Sequence, residues 1–149
     1  MIFNIDTHGG VPIYRQVIEQ VKRQIVTGQM EAGEQLESVK NLAERLKVNP
    51  MTISKAYGFL VQEGLVERRR GVGLFVVPMQ RERRQRLKSS MLDEALRRAA
   101  RLTVQMEVSA EEASTRFAEH LEQIASQKGG VQRTKRGSQS GNRKGRSQA

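Results

Sequence analysis

Apolar residues recur at four-residue steps early in the chain. Ile13, Val17, Val21 and Ile25 fall on one face of an amphipathic helix. Pro12 is read as its first position, where a missing N–H costs nothing, and Gly28 as its stop. Ahead of it, Ile2-Phe3-Asn4-Ile5-Asp6 alternates apolar and polar side chains, and Thr7 to Gly10 reads as a turn, so residues 1–10 are expected to form an extended arm. Residues 28–37 (GQMEAGEQLE) read as a polar connection turning at Ala32-Gly33.

Two helices follow in close succession. Ser38 caps a short one to Leu46, with Val39, Leu42, Ala43 and Leu46 as its buried stripe. The next has the clearest start in the chain. Asn49 is a strong cap, Pro50 suits the first turn, and Val48 is spaced to pack on Ile53 as a hydrophobic staple. Ile53, Ala56, Tyr57 and Leu60 then point inward, and Gly64 ends the helix. The period changes to two in Leu65-Val66-Glu67-Arg68 and in Gly73-Leu74-Phe75-Val76-Val77, which predicts a hairpin joined through Arg69-Arg70-Gly71-Val72. Three helices followed by a hairpin is the layout of a winged helix.

Helical spacing resumes over 79–126. Leu87, Met91, Ala95, Ala99, Leu102 and Met106 share one side of a long helix. Ser109-Ala110-Glu111-Glu112 forms a capping box, and a last helix carries Ala113, Phe117, Leu121 and Ile124. From Lys128 onward Gly, Ser, Gln, Lys and Arg predominate without period, which predicts a disordered tail. The expected fold is therefore mainly α with a small β-hairpin. It comprises an arm (1–10), a winged helix-turn-helix (11–79), a two-helix region (80–127) and a basic tail (128–149). Two short amphipathic helices cannot bury their own stripes, so Leu87, Met91, Ala95, Leu102, Phe117 and Leu121 are expected to pair with a second copy.

Charge sharpens this picture less than its size promises. Of the net +10, residues 1–79 hold ten basic and eight acidic groups, 80–127 nine and eight, and 128–149 seven and none. Most of the excess lies in the tail, so it says little about the folded part. There are no cysteines, which excludes disulfides and thiolate metal sites and fits a reducing compartment. No apolar run approaches the ~18 residues that span a bilayer, and the opening residues lack a signal pattern; the chain is expected in the cytoplasm, on the nucleoid when bound to DNA.

The chemistry is that of a binding surface. A link as short as Lys47-Val48 between two helices makes a helix-turn-helix, whose second helix inserts its leading turn into the major groove. That turn offers Met51, Thr52, Ser54 and Lys55, all off the apolar stripe. Thr and Ser can bond base edges or phosphates, Met51 can lie against a thymine methyl, and Lys55 can reach a guanine or a phosphate. Ser38 and Lys40, at the start of the preceding helix, are placed for a phosphate. Arg69, Arg70 and Gly71 at the hairpin tip suit phosphates or a minor groove. Arg81, Arg83, Arg84, Arg86 and Lys88 read as a solvated helix face.

Catalysis finds no support. His8 and His120 are distant surface residues, Gly71-Val72-Gly73 lacks the rest of a dinucleotide motif, and no nucleophile–base pair is evident. No enzyme activity, metal or cofactor is expected. RNA binding rests on the tail alone, because Phe3, Tyr14, Tyr57, Phe59, Phe75 and Phe117 fall mostly on stripes expected to be buried rather than on stacking surfaces. The rival reading is a nucleoid-type architectural protein with little sequence preference.

Taken together, Pro12-Ile13-Tyr14-Arg15-Gln16, Gly28, Gly33, Leu36-Glu37-Ser38-Val39-Lys40-Asn41-Leu42-Ala43, Val48-Asn49-Pro50-Met51-Thr52, Glu63-Gly64-Leu65-Val66-Glu67 and Arg69-Arg70-Gly71-Val72-Gly73-Leu74-Phe75-Val76 resemble the gluconate-operon repressor (GntR) family over roughly 11–79. Asn49-Pro50, Lys55-Ala56-Tyr57 and the short helical C-terminal part look like its YtrA-type branch. The resemblance implies a dimer paired through the helices after the wing, with no room for a large effector domain. A two-fold dimer is expected to act as a repressor on an inverted-repeat operator, relieved either by a small-molecule effector between the C-terminal helices or by no ligand at all. The resemblance places DNA contacts at Lys40, at Asn49 to Thr52 with Ser54 and Lys55, and at Arg70 and Gly71. Glu37 stands where the family has a proline, Asn41 where it has a glutamate, and Met51 where this branch often has an asparagine. Glu37 beside a phosphate-facing helix start would repel DNA unless it turns away.

Overall fold

The computed structural model describes residues 1–135. The elements run α1 (Ile13–Val26), α2 (Val39–Leu46), α3 (Pro50–Gln62), β1 (Val66–Arg69), β2 (Gly73–Val76), α4 (Arg81–Gln105) and α5 (Ala110–Lys135). Helix-turn-helix, hairpin and two further helices thus appear in the expected order, and the fold is mostly helical.

Local signals account for most of the boundaries. Ser38 Oγ accepts the Asn41 N–H at 3.1 Å and starts α2. Asn49 Oδ1 accepts the Met51 N–H at 2.8 Å and starts α3, with Pro50 in its first turn. Pro12 is the cap of α1 rather than its first helical residue; its ψ of 140° is extended, as its ring and lack of an N–H permit. Gly64 takes a positive φ of 69° after α3 and turns the chain into the hairpin.

The chain divides into two compact units, Met1–Glu94 and a second beginning at Ala95. The boundary lies inside α4, not at the expected position after residue 79, and the first turns of α4 belong with the winged helix. In the first unit, Val17, Val21 and Ile25 of α1, Leu42 and Ala43 of α2, and Ile53, Ala56, Tyr57 and Leu60 of α3 meet in one core. Leu65, Val66, Leu74 and Val76 of the hairpin region close it. Leu87 of α4 is half-buried against this same core, so it is packed within the first unit.

The connection 28–37 proved less polar than it reads. Met30 and Leu36 are buried core residues. The segment also runs beside β2: Leu36 N–H donates to the Leu74 carbonyl (2.8 Å), Gly33 N–H to Val76 (2.8 Å), and Val76 N–H to Glu34 (2.9 Å). Below it, β1 and β2 pair antiparallel from Val66↔Val76 to Arg69↔Gly73. Two strands alone are marginal in water, and the added edge gives the hairpin a third rail.

Helix α1 holds the arm through three glutamine side chains. Gln24 Oε1 accepts the Ile2 N–H (3.1 Å) while its Nε2 donates to the Ile2 carbonyl (2.7 Å). Gln20 grips Asn4 in the same manner (2.8 and 2.6 Å), and Gln16 grips Asp6 (2.8 and 2.7 Å). Two residues of extended chain advance about 6.6 Å and four residues of helix about 6 Å, so every second arm residue meets every fourth helix residue. The three side-chain amides act as a neighbouring strand.

In the second unit, Ser109 Oγ accepts the Glu112 N–H (3.1 Å), which is half of the capping box; the Glu112 carboxylate instead pairs with Arg116 at 2.7 Å. Helix α5 continues through Lys135, past the point where a disordered tail was expected to begin at Lys128. The remainder of that tail lies outside the described residues. Among the described residues, no helix is long and apolar enough to cross a membrane.

Candidate nucleic-acid interface

The corner between α2 and α3 depends on Lys47. It takes a left-handed conformation (φ 54°, ψ 45°), and Val48 N–H reaches back to the Ala43 carbonyl at 3.0 Å. This closes α2 and turns the chain into α3 within two residues. Val48 is half-buried on the core that holds Ile53, consistent with the expected staple.

Helix α3 has two contrasting faces. Ile53, Ala56, Tyr57 and Leu60 are buried. Met51 is 73% exposed, Ser54 and Lys55 are exposed, and Thr52 is partly so. An apolar side chain as large as Met51, left so open at the first turn of a helix, gains nothing for folding. Together with Tyr14 of α1, these four side chains line a shallow open hollow. Ser38 and Lys40 are exposed at the start of α2.

The wing matches expectation only in part. Arg70 and Gly71 form the exposed tip, with Gly71 at a φ of 74° that favours glycine. Arg69 is turned down instead. It bonds Glu67 through Nε (3.1 Å) and Nη2 (2.9 Å), and its guanidinium lies 4.1 Å from the Phe75 ring centroid. A cross-strand ring and an adjacent carboxylate hold it better than solvent does. Of the arginines expected to face a ligand, Arg70 is the one at the tip.

Glu37 has turned away from the α2 start. Arg45 donates to it from Nη2 at 2.7 Å and from Nε at 3.2 Å, which neutralises the acid locally. These bonds push the Arg45 pKa above its ordinary value. Arg45 also lies over the Phe3 ring of the arm, 5.7 Å from its centroid. The buried Tyr57 hydroxyl donates to the Glu37 carbonyl at 2.8 Å, and burial, with the Glu37 charge adding to it, raises the phenol's pKa.

Two further features were not foreseen. Arg83, expected on a solvated face, donates to the carbonyls of Glu63 (2.7 Å) and Gly64 (3.4 Å). It thereby satisfies the end of α3, where the helix dipole favours a cation. Tyr14 and Phe59 stack with centroids 6.0 Å apart, and Phe59 is exposed. The Lys55 ammonium lies 4.0 Å from the Tyr14 ring centroid. The position of Tyr14 one residue after Ile13 already places it on the flank of the α1 stripe; its partners on α3 are long-range and leave no local signal.

The sequence pattern of the bacterial regulatory proteins of the gntR family matches residues 13–76. The solved structure of YtrA from Sulfolobus acidocaldarius, described as a GntR-family transcription factor, is 31% identical (TM-score 0.51) and is matched over 98% of its chain and 64% of this one. The chain belongs to the GntR family. A GntR family transcriptional regulator from Listeria monocytogenes is similar in structure (TM-score 0.64, 28% identity), covering 77% of this chain and 98% of that one. The HTH-type transcriptional repressor YtrA of Bacillus subtilis is 41% identical over 75 residues, half of this chain. The match spans 58% of the length of that relative. The family match over 13–76 contains the entire helix-turn-helix and wing described above, and two of these three relatives bear the YtrA name.

Proposed function

We propose that this GntR-family protein is a sequence-specific, double-stranded-DNA-binding transcription regulator that acts as a dimeric repressor on an inverted-repeat operator in the bacterial cytoplasm. One observation carries the reading. The first turn of α3 presents Met51, Thr52, Ser54 and Lys55 outward from a face whose opposite side is wholly buried. Folding alone explains the buried face and leaves the open one without a purpose; a DNA groove supplies it.

The roles follow from chemistry. Asn49 and Pro50 fix the angle at which α3 begins. Thr52 and Ser54 offer hydroxyls to base edges or phosphates, and Met51 offers an apolar surface to a thymine methyl. Ser38, Lys40 and the wing tip at Arg70 and Gly71 address phosphates, which set register without reading sequence. Arg69, paired with Glu67 through Nε and Nη2 and still half exposed, adds a further donor to this set. A repressor acts by occupying a promoter, and the name of the Bacillus subtilis relative supports that outcome. The exposed apolar residues of the C-terminal helices, including Leu102, Phe117 and Leu121, support pairing with a second copy, with Met91 and Ala95 on the same stripe.

Competition with bulk DNA tests the reading. A duplex enriched from a randomised pool should outcompete unrelated DNA by about 10³-fold or more. Equal affinity for all duplexes would contradict sequence-specific regulation and favour the architectural alternative.

A further inference from the structure

We propose that Tyr14 is a positioning residue that holds Lys55 against a backbone phosphate beside the groove and withholds it from the base edges. This rests on the reading of α3 as the groove-entering helix. Met51 and Lys55 are four residues apart and share the outward face of α3, so a lysine there is at liberty to reach bases or phosphates. The geometry removes that liberty. The Lys55 ammonium lies 4.0 Å from the Tyr14 ring centroid, bent off the outer face of α3 toward α1.

The ring is a fixed platform. It stacks on Phe59 at an interplanar angle of 20° and packs against the core of the first unit. Residue numbers rise together along the two helices: Tyr14 meets Lys55 and Phe59, and Lys22 meets Glu63 at 2.7 Å. The start of α1 therefore flanks the start of α3. A duplex that receives the first turn of α3 in a groove has its phosphate rows on either flank, where Tyr14 delivers the ammonium. A lysine head is a compact charge without the fork of arginine, which suits it to a phosphate. A second cation, Arg15, bonds the hydroxyl of the same ring through Nε at 3.4 Å and adds to the positive field at that flank. It also lowers the Tyr14 pKa through its hydrogen bond to the hydroxyl.

A mutant cycle in the full chain tests this, using a duplex enriched by the wild-type protein and a scrambled one, each titrated at several salt concentrations. Lys55→Met is expected to weaken both duplexes by the same factor and to flatten the log–log salt slope by about 0.9. Tyr14→Leu is expected to weaken both about threefold, in line with loss of an exposed cation–π contact. It should have no further effect once Lys55 is Met, and Tyr14→Phe should behave as wild type. Loss on the enriched duplex alone in Lys55→Met would overturn the proposal, because Lys55 would then read a base. So would a Tyr14→Leu effect independent of Lys55, or a Tyr14→Phe loss as large as that of Tyr14→Leu. A wild-type chain with no preferred duplex would instead overturn the reading beneath it, and this inference with it. Should Tyr14→Leu not fold, the Lys55 ε-methylene protons of the wild type decide. Ring-current upfield shifts should persist in the duplex complex, and their loss on binding would contradict the proposal.

Discussion

Helices α1 and α5 carry the same kind of apolar stripe and meet opposite surroundings. In α1, Val17, Val21 and Ile25 are at most 1% exposed. In α5, Phe117, Leu121 and Ile124, at steps of four and three residues, are 49 to 54% exposed. Spacing shows which face of a helix is apolar; it does not show what covers it. For α1 the cover is α3, brought by the rest of the same unit. For the described part of the second unit, not one residue is buried. The first unit closes a core of its own, whereas the second leaves apolar surface for which a further copy of the chain is the proposed cover.

Truncation in each region breaks this contrast most forcefully. Ile53→Ala should remove about 2–5 kcal/mol from denaturant unfolding of the first unit and abolish duplex binding. Leu121→Ala should leave that transition in place and weaken self-association in sedimentation velocity. A Leu121→Ala variant that melts the first unit as Ile53→Ala does would erase the distinction.

Tyr57 probes the first unit by pH. Tyr57→Phe leaves the Glu37 carbonyl unpaired and should cost about 1–3 kcal/mol. Because the folded-state pKa of Tyr57 is raised above its unfolded value, its contribution is complete below the unfolded value of about 10 and is lost as pH rises through the folded one. Alkaline unfolding curves should therefore lose part of their steepness in Tyr57→Phe.

Caps sharpen the comparison further. Asn49→Ala should destabilise the first unit by about 1 kcal/mol in the same unfolding transition. Ser109→Ala removes an equivalent bond from α5 and should lower helicity by circular dichroism without shifting that transition. The smallest effect is expected at the arm. Gln20→Ala should cost about 0.5–1 kcal/mol, read as faster hydrogen exchange of the Asn4 amide.

What could be read from the sequence was local. Ser38, Asn49, Pro50 and Gly64 announce helix ends because a cap acts within three residues of itself. The exposed turn Met51 to Lys55 was legible because it lies off a short, strong stripe. Most of the features that escaped notice depend on residues far apart in the chain. Met30 and Leu36 look like part of a polar loop until β2 lies beside them. The glutamines at 16, 20 and 24 look like solvated positions until the arm arrives. Arg69 is a nearer case: it looks like a free cation until the hairpin sets Phe75 and Glu67 beside it.

Amide chemical shifts of isotope-labelled full-length protein, followed as an enriched duplex is added, test the central claim most directly. Perturbations should concentrate on residues 51–55 at the start of α3 and on the wing tip at Arg70 and Gly71. Shifts confined to the basic C-terminal residues, with the start of α3 unmoved, would contradict it.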